Sequence, residues 1–209
     1  MFIKNNIFRY QKYLDYYKSC YFKFGASNLL FLDDGSERKY LELLKIPIFL
    51  SEELPESLHD ISIITFLTHL GRPTAYDLKG WWRSFLMSPY IAERYDFDKL
   101  VIIESDAYIL SDRLVKYIKE ISEGWVVLWC PRHRFPEPSI QVIIKDSFAE
   151  MKKVVSTCVK DKIAEHVLPF TLIEKGFKGD RYGEYQDFIP DDADFSCQSE
   201  FLNISKWEV

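Results

Sequence analysis

Residues 99–110 read KLVIIESDAYIL. Lys99 to Ile103 is a short apolar run, which suits a strand buried in a parallel sheet. The run stops at Glu104-Ser105-Asp106, so two carboxylates flanking one residue stand at a strand end. Asn28 to Leu32 (NLLFL) is a second such run, and it stops at the turn Asp33-Asp34-Gly35-Ser36. Ile46 to Leu50, Ile61 to Leu67, Trp125 to Trp129 and Ile140 to Ile144 are further strands, with a very short one in Met1 to Ile7.

Helical spacing fills the gaps between them. Phe8 to Phe24 carries Tyr10, Tyr13/Leu14, Tyr17 and Tyr21 at the helical period, and Gly25 stops it. Glu37 to Lys45 is a shorter helix. Another runs from about Trp81 to Tyr95, with Pro89 bending it or marking its first turn. Ser111 or Asp112 caps a helix through Ile121. Asp146 to Lys160 puts Phe148, Met151, Val155 and Cys158/Val159 on one face. The last stretch, Leu168 to Val209, is an ordered loop region, because Phe170, Phe177, Tyr182, Tyr185, Phe188, Phe195 and Phe201 need something to pack on.

Alternating strands and helices predict an α/β fold: one domain over residues 1–209 with a central, mainly parallel (mixed) twisted sheet and helices on both faces. Ligands bind outside the carboxyl ends of strands in such sheets. Both acidic turns are therefore expected on one sheet edge.

The chain has 209 residues, 47% of them hydrophobic, enough for a full core. With 28% charged residues, intrinsic disorder is not expected. A net charge of -5 argues against a nucleic-acid partner, which calls for a basic face. The four cysteines, Cys20, Cys130, Cys158 and Cys197, show no C-x-x-C, so they are expected to be reduced thiols in a cytoplasmic protein, with no zinc site. No apolar run approaches the roughly 20 residues of a membrane span. The four histidines, His59, His69, His133 and His166, show no metal-ligand spacing, and only His166 is a candidate late ligand. P-loop, dinucleotide and esterase motifs are absent.

The candidate site residues follow from chemistry at these positions. Asp106, with Glu104 second, offers hard oxygen ligands of the kind magnesium or manganese takes from protein alongside substrate phosphates. Glu104 and Ser105 also stand where a donor would lie. Asp33 or Asp34 is placed to accept from a nucleobase N–H. Gly80-Trp81-Trp82-Arg83 opens a helix, where phosphate is favoured, and Arg83 could pair with a diphosphate. Asp77 is a weaker donor contact. Arg132-His133-Arg134 with Glu137-Pro138-Ser139 is a polar loop that could line a sugar pocket. Asp180, Glu184, Asp192 and Asp194 are unranked candidates for a base or acceptor contact. The bland readings are ordinary turns, caps and solvated acidic loops.

Phe31-Leu32-Asp33-Asp34-Gly35-Ser36 resembles the D-D-G-S turn after the second strand in many GT-A glycosyltransferases. Leu100 to Leu110 resembles their D-x-D segment, with Glu104 in place of the usual first Asp. Trp81 to Arg94 lies where related families place a helix with a nucleotide-contacting Arg. The resemblance covers roughly residues 1–160 and fades after that. It implies a nucleotide-sugar donor, most often a UDP-sugar such as UDP-glucose, a manganese or magnesium ion on Asp106, and a glycan or glycoprotein acceptor. Whether Glu104 touches the ion, the ribose or only water stays open. Compact modules of this kind occur in larger enzymes, including those that large algal viruses use for capsid glycans. The competing classes are a nucleotidyltransferase-like enzyme, which wants a Gly-rich phosphate loop, and a non-catalytic carbohydrate-binding module, suggested by the aromatic content.

Overall fold

The computed structural model describes residues 7–74, 77–153, 168–185 and 187–199. The strand expected before Ile7, the helix beyond residue 153 with Val155, Cys158 and Val159, and also His166 and Phe201, lie outside the described residues. The fold is mixed α/β, and the described residues divide into two compact units, one up to Asp96 and one from Phe97 onward.

In the first unit, β1 (Leu29–Asp33), β2 (Ile48–Leu50) and β3 (Ile61–Thr65) form a fully parallel sheet in the order β1-β3-β2. Helix α1 (Phe8–Lys18) lies on it through Tyr10 and Tyr13, whose rings stand 6.3 and 5.6 Å from Phe31. α1 ends earlier than expected. Ser19 turns its hydroxyl back onto the Tyr16 carbonyl at 2.7 Å, and a 3₁₀ turn, Tyr21–Phe24, carries the chain to Gly25 at φ +78°. The Glu37 to Lys45 segment shortens to α2 (Arg38–Leu41) and a 3₁₀ turn, Glu42–Leu44. Helix α3 (Lys79–Arg94) buries Trp82, Phe85, Ile91 and Ala92, with Pro89 well inside it rather than in its first turn.

The second unit holds β4 (Lys99–Ile103), β5 (Tyr108–Ile109), α4 (Asp112–Glu120), β6 (Trp125–Cys130), β7 (Phe135–Ile144), β8 (Leu172–Glu174), β9 (Gly179–Asp180) and β10 (Phe195–Ser196). Ser111 is the α4 cap, accepting from the Leu114 N–H at 3.2 Å. A four-stranded sheet has the order β4-β7-β6-β8, with β6 and β8 parallel and the β4–β7 and β6–β7 pairs antiparallel. A smaller sheet has the order β5-β10-β9. β1 and β4 thus belong to different hydrogen-bonded sheets, so the two acidic turns do not share the edge of one sheet. The loop expected after Trp129 is instead a hairpin, and β7 starts at Phe135. Pro138 fits because the pairing shifts between Val127 and Leu128, so Pro138, Ser139 and Ile140 of β7 have no partner on β6, while Pro136 stands opposite Trp129 next to the hairpin turn. No helix of the described residues is long and apolar enough to cross a membrane.

Two tests probe the first unit. A Cβ on Gly80 would run into the Asp34 carboxylate. Alanine gains about 1 kcal/mol in helix propensity, but overpacking costs about 1–3 kcal/mol and disruption of a buried ion pair costs more. Gly80→Ala is expected to lower the urea midpoint, and an unchanged or raised midpoint would contradict this packing. Burial pushes the Cys20 thiol from 9.0 to about 11. Above pH 9 the unfolded chain releases that proton while the folded chain keeps it, so stability falls as pH rises toward 11. Urea melts should show wild type losing more stability than Cys20→Ala between about pH 8 and about pH 10.5.

Candidate functional site

Asp33 ends β1 with its carboxylate wholly buried. Its oxygens accept from the Tyr10 hydroxyl at 2.5 Å, the Ser36 hydroxyl at 2.5 Å, the Ser36 N–H at 2.7 Å and the Thr65 hydroxyl at 2.6 Å. Those donors come from α1, the turn and β3. Reading a base would require giving them up, so Asp33 is a keystone of the first unit. Asp34 is bound as fully: Arg83 Nη2 pairs with Oδ1, and the Gly71 N–H donates to Oδ2 at 2.7 Å. The same Arg83 donates to the Thr68 carbonyl at 2.6 Å and lies 4.0 Å over the Phe66 ring. Arg83 is therefore committed inside the first unit, and a diphosphate would have to break a buried ion pair to recruit it. Asp77 sits in a bridge with Thr74, with Lys79 Nζ 3.6 Å from Oδ2.

The second unit gathers more chemistry. β4 runs into Glu104, whose N–H donates to the Ser139 carbonyl at 2.8 Å. The Ala107 N–H closes a turn on the Glu104 carbonyl at 3.0 Å, with Ser105 and the buried Asp106 inside it. The chain then pairs as β5 with β10, and the Ser199 N–H latches onto the Asp106 carbonyl at 2.9 Å. Between these segments lies Cys197, fully buried. Its thiol is pushed well above its ordinary range by burial, then by Glu137, Asp106 and Glu104, with Arg181 pulling the other way. The three carboxylates that act on this one buried thiol come from two separate strand ends in the sequence.

Glu137 is also wholly buried. Arg181 grips it through Nε at 2.6 Å and Nη2 at 3.2 Å, and the Ser139 hydroxyl adds a third donor at 2.6 Å. Arg181 also reaches Glu184 Oε1 at 3.2 Å. This grip places Asp180 beside Cys130, whose thiol donates to Asp180 Oδ1 at 3.2 Å. Burial, then that hydrogen bond, push the Cys130 thiol up to about 12. His133 Nε2 stands 3.0 Å from Glu184 Oε2, and the His133 ring packs against Phe135 and Tyr185.

The four late acids separate by environment. Asp194 is buried and taken by Arg113, by the Ser111 hydroxyl at 2.6 Å and by the Lys178 N–H at 2.6 Å, which makes it a structural tie between α4 and β9. Asp192 is exposed and paired with Lys178 at 2.6 Å. Asp180 is buried beside Cys130, and Glu184 is one-third exposed beside His133. Cys130 is the residue that sequence reasoning leaves as a plain thiol, whereas His133 and Glu137 fall in the polar loop expected after Trp129. The three-residue step from Cys130 to His133 is legible in the sequence. The partners of Glu137 are not, because they lie two and 44 positions away.

No protein-family model matches the chain, and no curated protein matches it. Among solved structures, one described as a glycosyltransferase involved in the glycosylation of the major capsid of PBCV-1 is similar over 67% of this chain and 79% of that chain, with a TM-score of 0.44 and 14% sequence identity. At that level of likeness, chemistry has to be argued from this chain's own residues.

Removing Arg181 strands a buried carboxylate. Arg181→Met is expected to cost about 3–5 kcal/mol in a denaturant titration. A loss below about 1 kcal/mol, the scale of an exposed pair, would refute the assigned burial.

Proposed function

We propose that the chain is a metal-dependent glycosyltransferase that takes a sugar from a nucleotide-sugar donor, a UDP-sugar such as UDP-glucose, to a hydroxyl of a glycan or glycoprotein. One observation supports this above the others: Glu104 and Asp106 flank the tight turn that closes the end of β4, with Asp106 buried in it. The oxygen-only donor set of Asp106 and Glu104 fits a hard divalent cation, manganese or magnesium, that keeps substrate phosphates and water as its other ligands. Bound there, the ion would neutralise the charge developing on the diphosphate leaving group. Asp106 is the principal ligand in this reading, Glu104 the second, and Ser105 a donor contact at the turn.

Glu184 is the base this reading prefers for an inverting transfer. It is partly exposed, whereas Asp194 is buried in structural bonds and Asp192 pairs with Lys178 out in solvent. Glu184 would take the proton of the acceptor hydroxyl, and His133 and Arg181 beside it would orient its oxygens. Tyr185 and Phe188, 54% and 94% exposed, offer ring faces on which an acceptor sugar can stack. The same exposed rings favour the second reading, a non-catalytic carbohydrate-binding module.

Titration of UDP, GDP and CMP with and without manganese separates these. The proposal expects UDP to bind only with the metal, and Asp106→Ala to abolish that binding while the circular dichroism spectrum stays unchanged. Metal-independent binding, or none, would overturn it. Manganese-dependent release of free sugar from UDP-glucose marks an enzyme, and glycan binding without any turnover marks the module.

A further inference from the structure

The hairpin from β6 to β7 turns over Cys130-Pro131-Arg132-His133-Arg134. The Arg134 N–H donates to the Cys130 carbonyl at 2.9 Å, and Arg134 itself stands at φ +55°. A long, non-glycine side chain in that left-handed region costs on the order of 1–3 kcal/mol and persists where the surroundings impose it. Here the turn brings two side chains, three positions apart, to one place. Burial and the hydrogen bond to Asp180 favour the protonated Cys130 thiol, with the His133 backbone N–H acting the other way on the sulfur. From β9, Asp180 supplies a carboxylate whose Oδ1 lies 3.2 Å from that sulfur. One donor atom from each of Cys130, His133 and Asp180 lies within 4.8 Å of the other two.

We propose that Cys130, His133 and Asp180 bind a borderline-soft divalent cation of the zinc class. Thiolate, imidazole and carboxylate are the three ligand types zinc takes from proteins. Donors around a tetrahedral zinc stand roughly 3.3–3.8 Å apart. The sulfur–carboxylate pair at 3.2 Å is already close to that spacing, and a small closure brings in the ring. Sulfur in the set selects against magnesium and manganese, so this site differs in kind from the oxygen-donor corner at Glu104 and Asp106. The surroundings hold the ligands in orientation, as outer partners of metal ligands do. The Arg181 N–H donates to Asp180 Oδ1 at 2.7 Å, Arg132 Nε stands 3.7 Å from Asp180 Oδ2, and Glu184 Oε2 stands 3.0 Å from the imidazole. On binding, the ion replaces the proton that Cys130 now shares with Asp180, and that proton goes to solvent. Three protein ligands leave one tetrahedral position for water. None of this depends on glycosyl transfer.

The test uses the full chain, stripped with a chelator and titrated with cobalt(II), then with zinc(II) in competition. One equivalent of cobalt is expected, with a thiolate-to-cobalt charge-transfer band and intense visible bands of a tetrahedral ion, all erased by zinc. Cys130→Ser should remove the charge-transfer band, and His133→Ala should weaken binding by at least about tenfold. His133 is partly exposed, so His133→Ala decides the matter even where Cys130→Ser fails to fold. Asp106→Ala should keep the charge-transfer band and the tetrahedral visible bands at wild-type intensity, which separates this site from the proposed donor site. A wild-type chain with no charge-transfer band, or a band that survives both variants, overturns the proposal. In that case the Cys130 thiol is only a hydrogen-bond donor to Asp180.

Discussion

Arg181 and Glu137 form the interaction on which the second unit's site depends. Glu137 has no exposure at all, and a bare carboxylate in that position would be severely destabilising. Arg181 meets it with a planar fork, and the Ser139 hydroxyl and N–H supply further donors. A pair this buried contributes little net stability over an apolar replacement. Its effect is positional. It ties the segment after β9 to the bulged part of β7, and everything placed by that segment follows. Asp180 reaches Cys130, and Glu184 reaches His133.

The first unit uses the same device differently. Asp33 and Asp34 are adjacent in a turn of ordinary composition, yet they serve separate structural networks. Asp33 joins α1, β3 and its own turn through hydroxyl donors. Asp34 joins the Gly71 backbone and Arg83 of α3, with Gly80 leaving room for the carboxylate. Buried carboxylates satisfied by several donors hold elements in register, and that explains why these two acids are so short of free acceptor positions.

Much of the fold was legible locally. β4 coincides with the apolar run Lys99 to Ile103, and β1 differs from Asn28 to Leu32 by one residue at each end. Both rest on the short-range preference of apolar runs for strands, although β4 is a half-buried antiparallel edge strand rather than the buried parallel one expected. The helix after Gly80 and the Ser111 cap were equally plain. The two-residue strands β5, β9 and β10 were not, because Gly179-Asp180 has no strand character of its own. Pro136 and Pro138 marked a loop by every local rule, and it is the bulge leaving residues 138–140 without a β6 partner that accommodates Pro138 in a strand.

The sequence by itself determined an α/β chain in which acidic turns follow apolar strands, because apolar runs and turn residues act over a few neighbours. Which acids are locked into structural bonds and which stand beside a thiol or an imidazole was decided by the tertiary structure alone. Tyr10 meets Asp33 across 23 positions, Arg181 meets Glu137 across 44, and Cys130 meets Asp180 across 50. A carboxylate's role is set by the donors and charges that surround it, and at these separations only the packed chain supplies them.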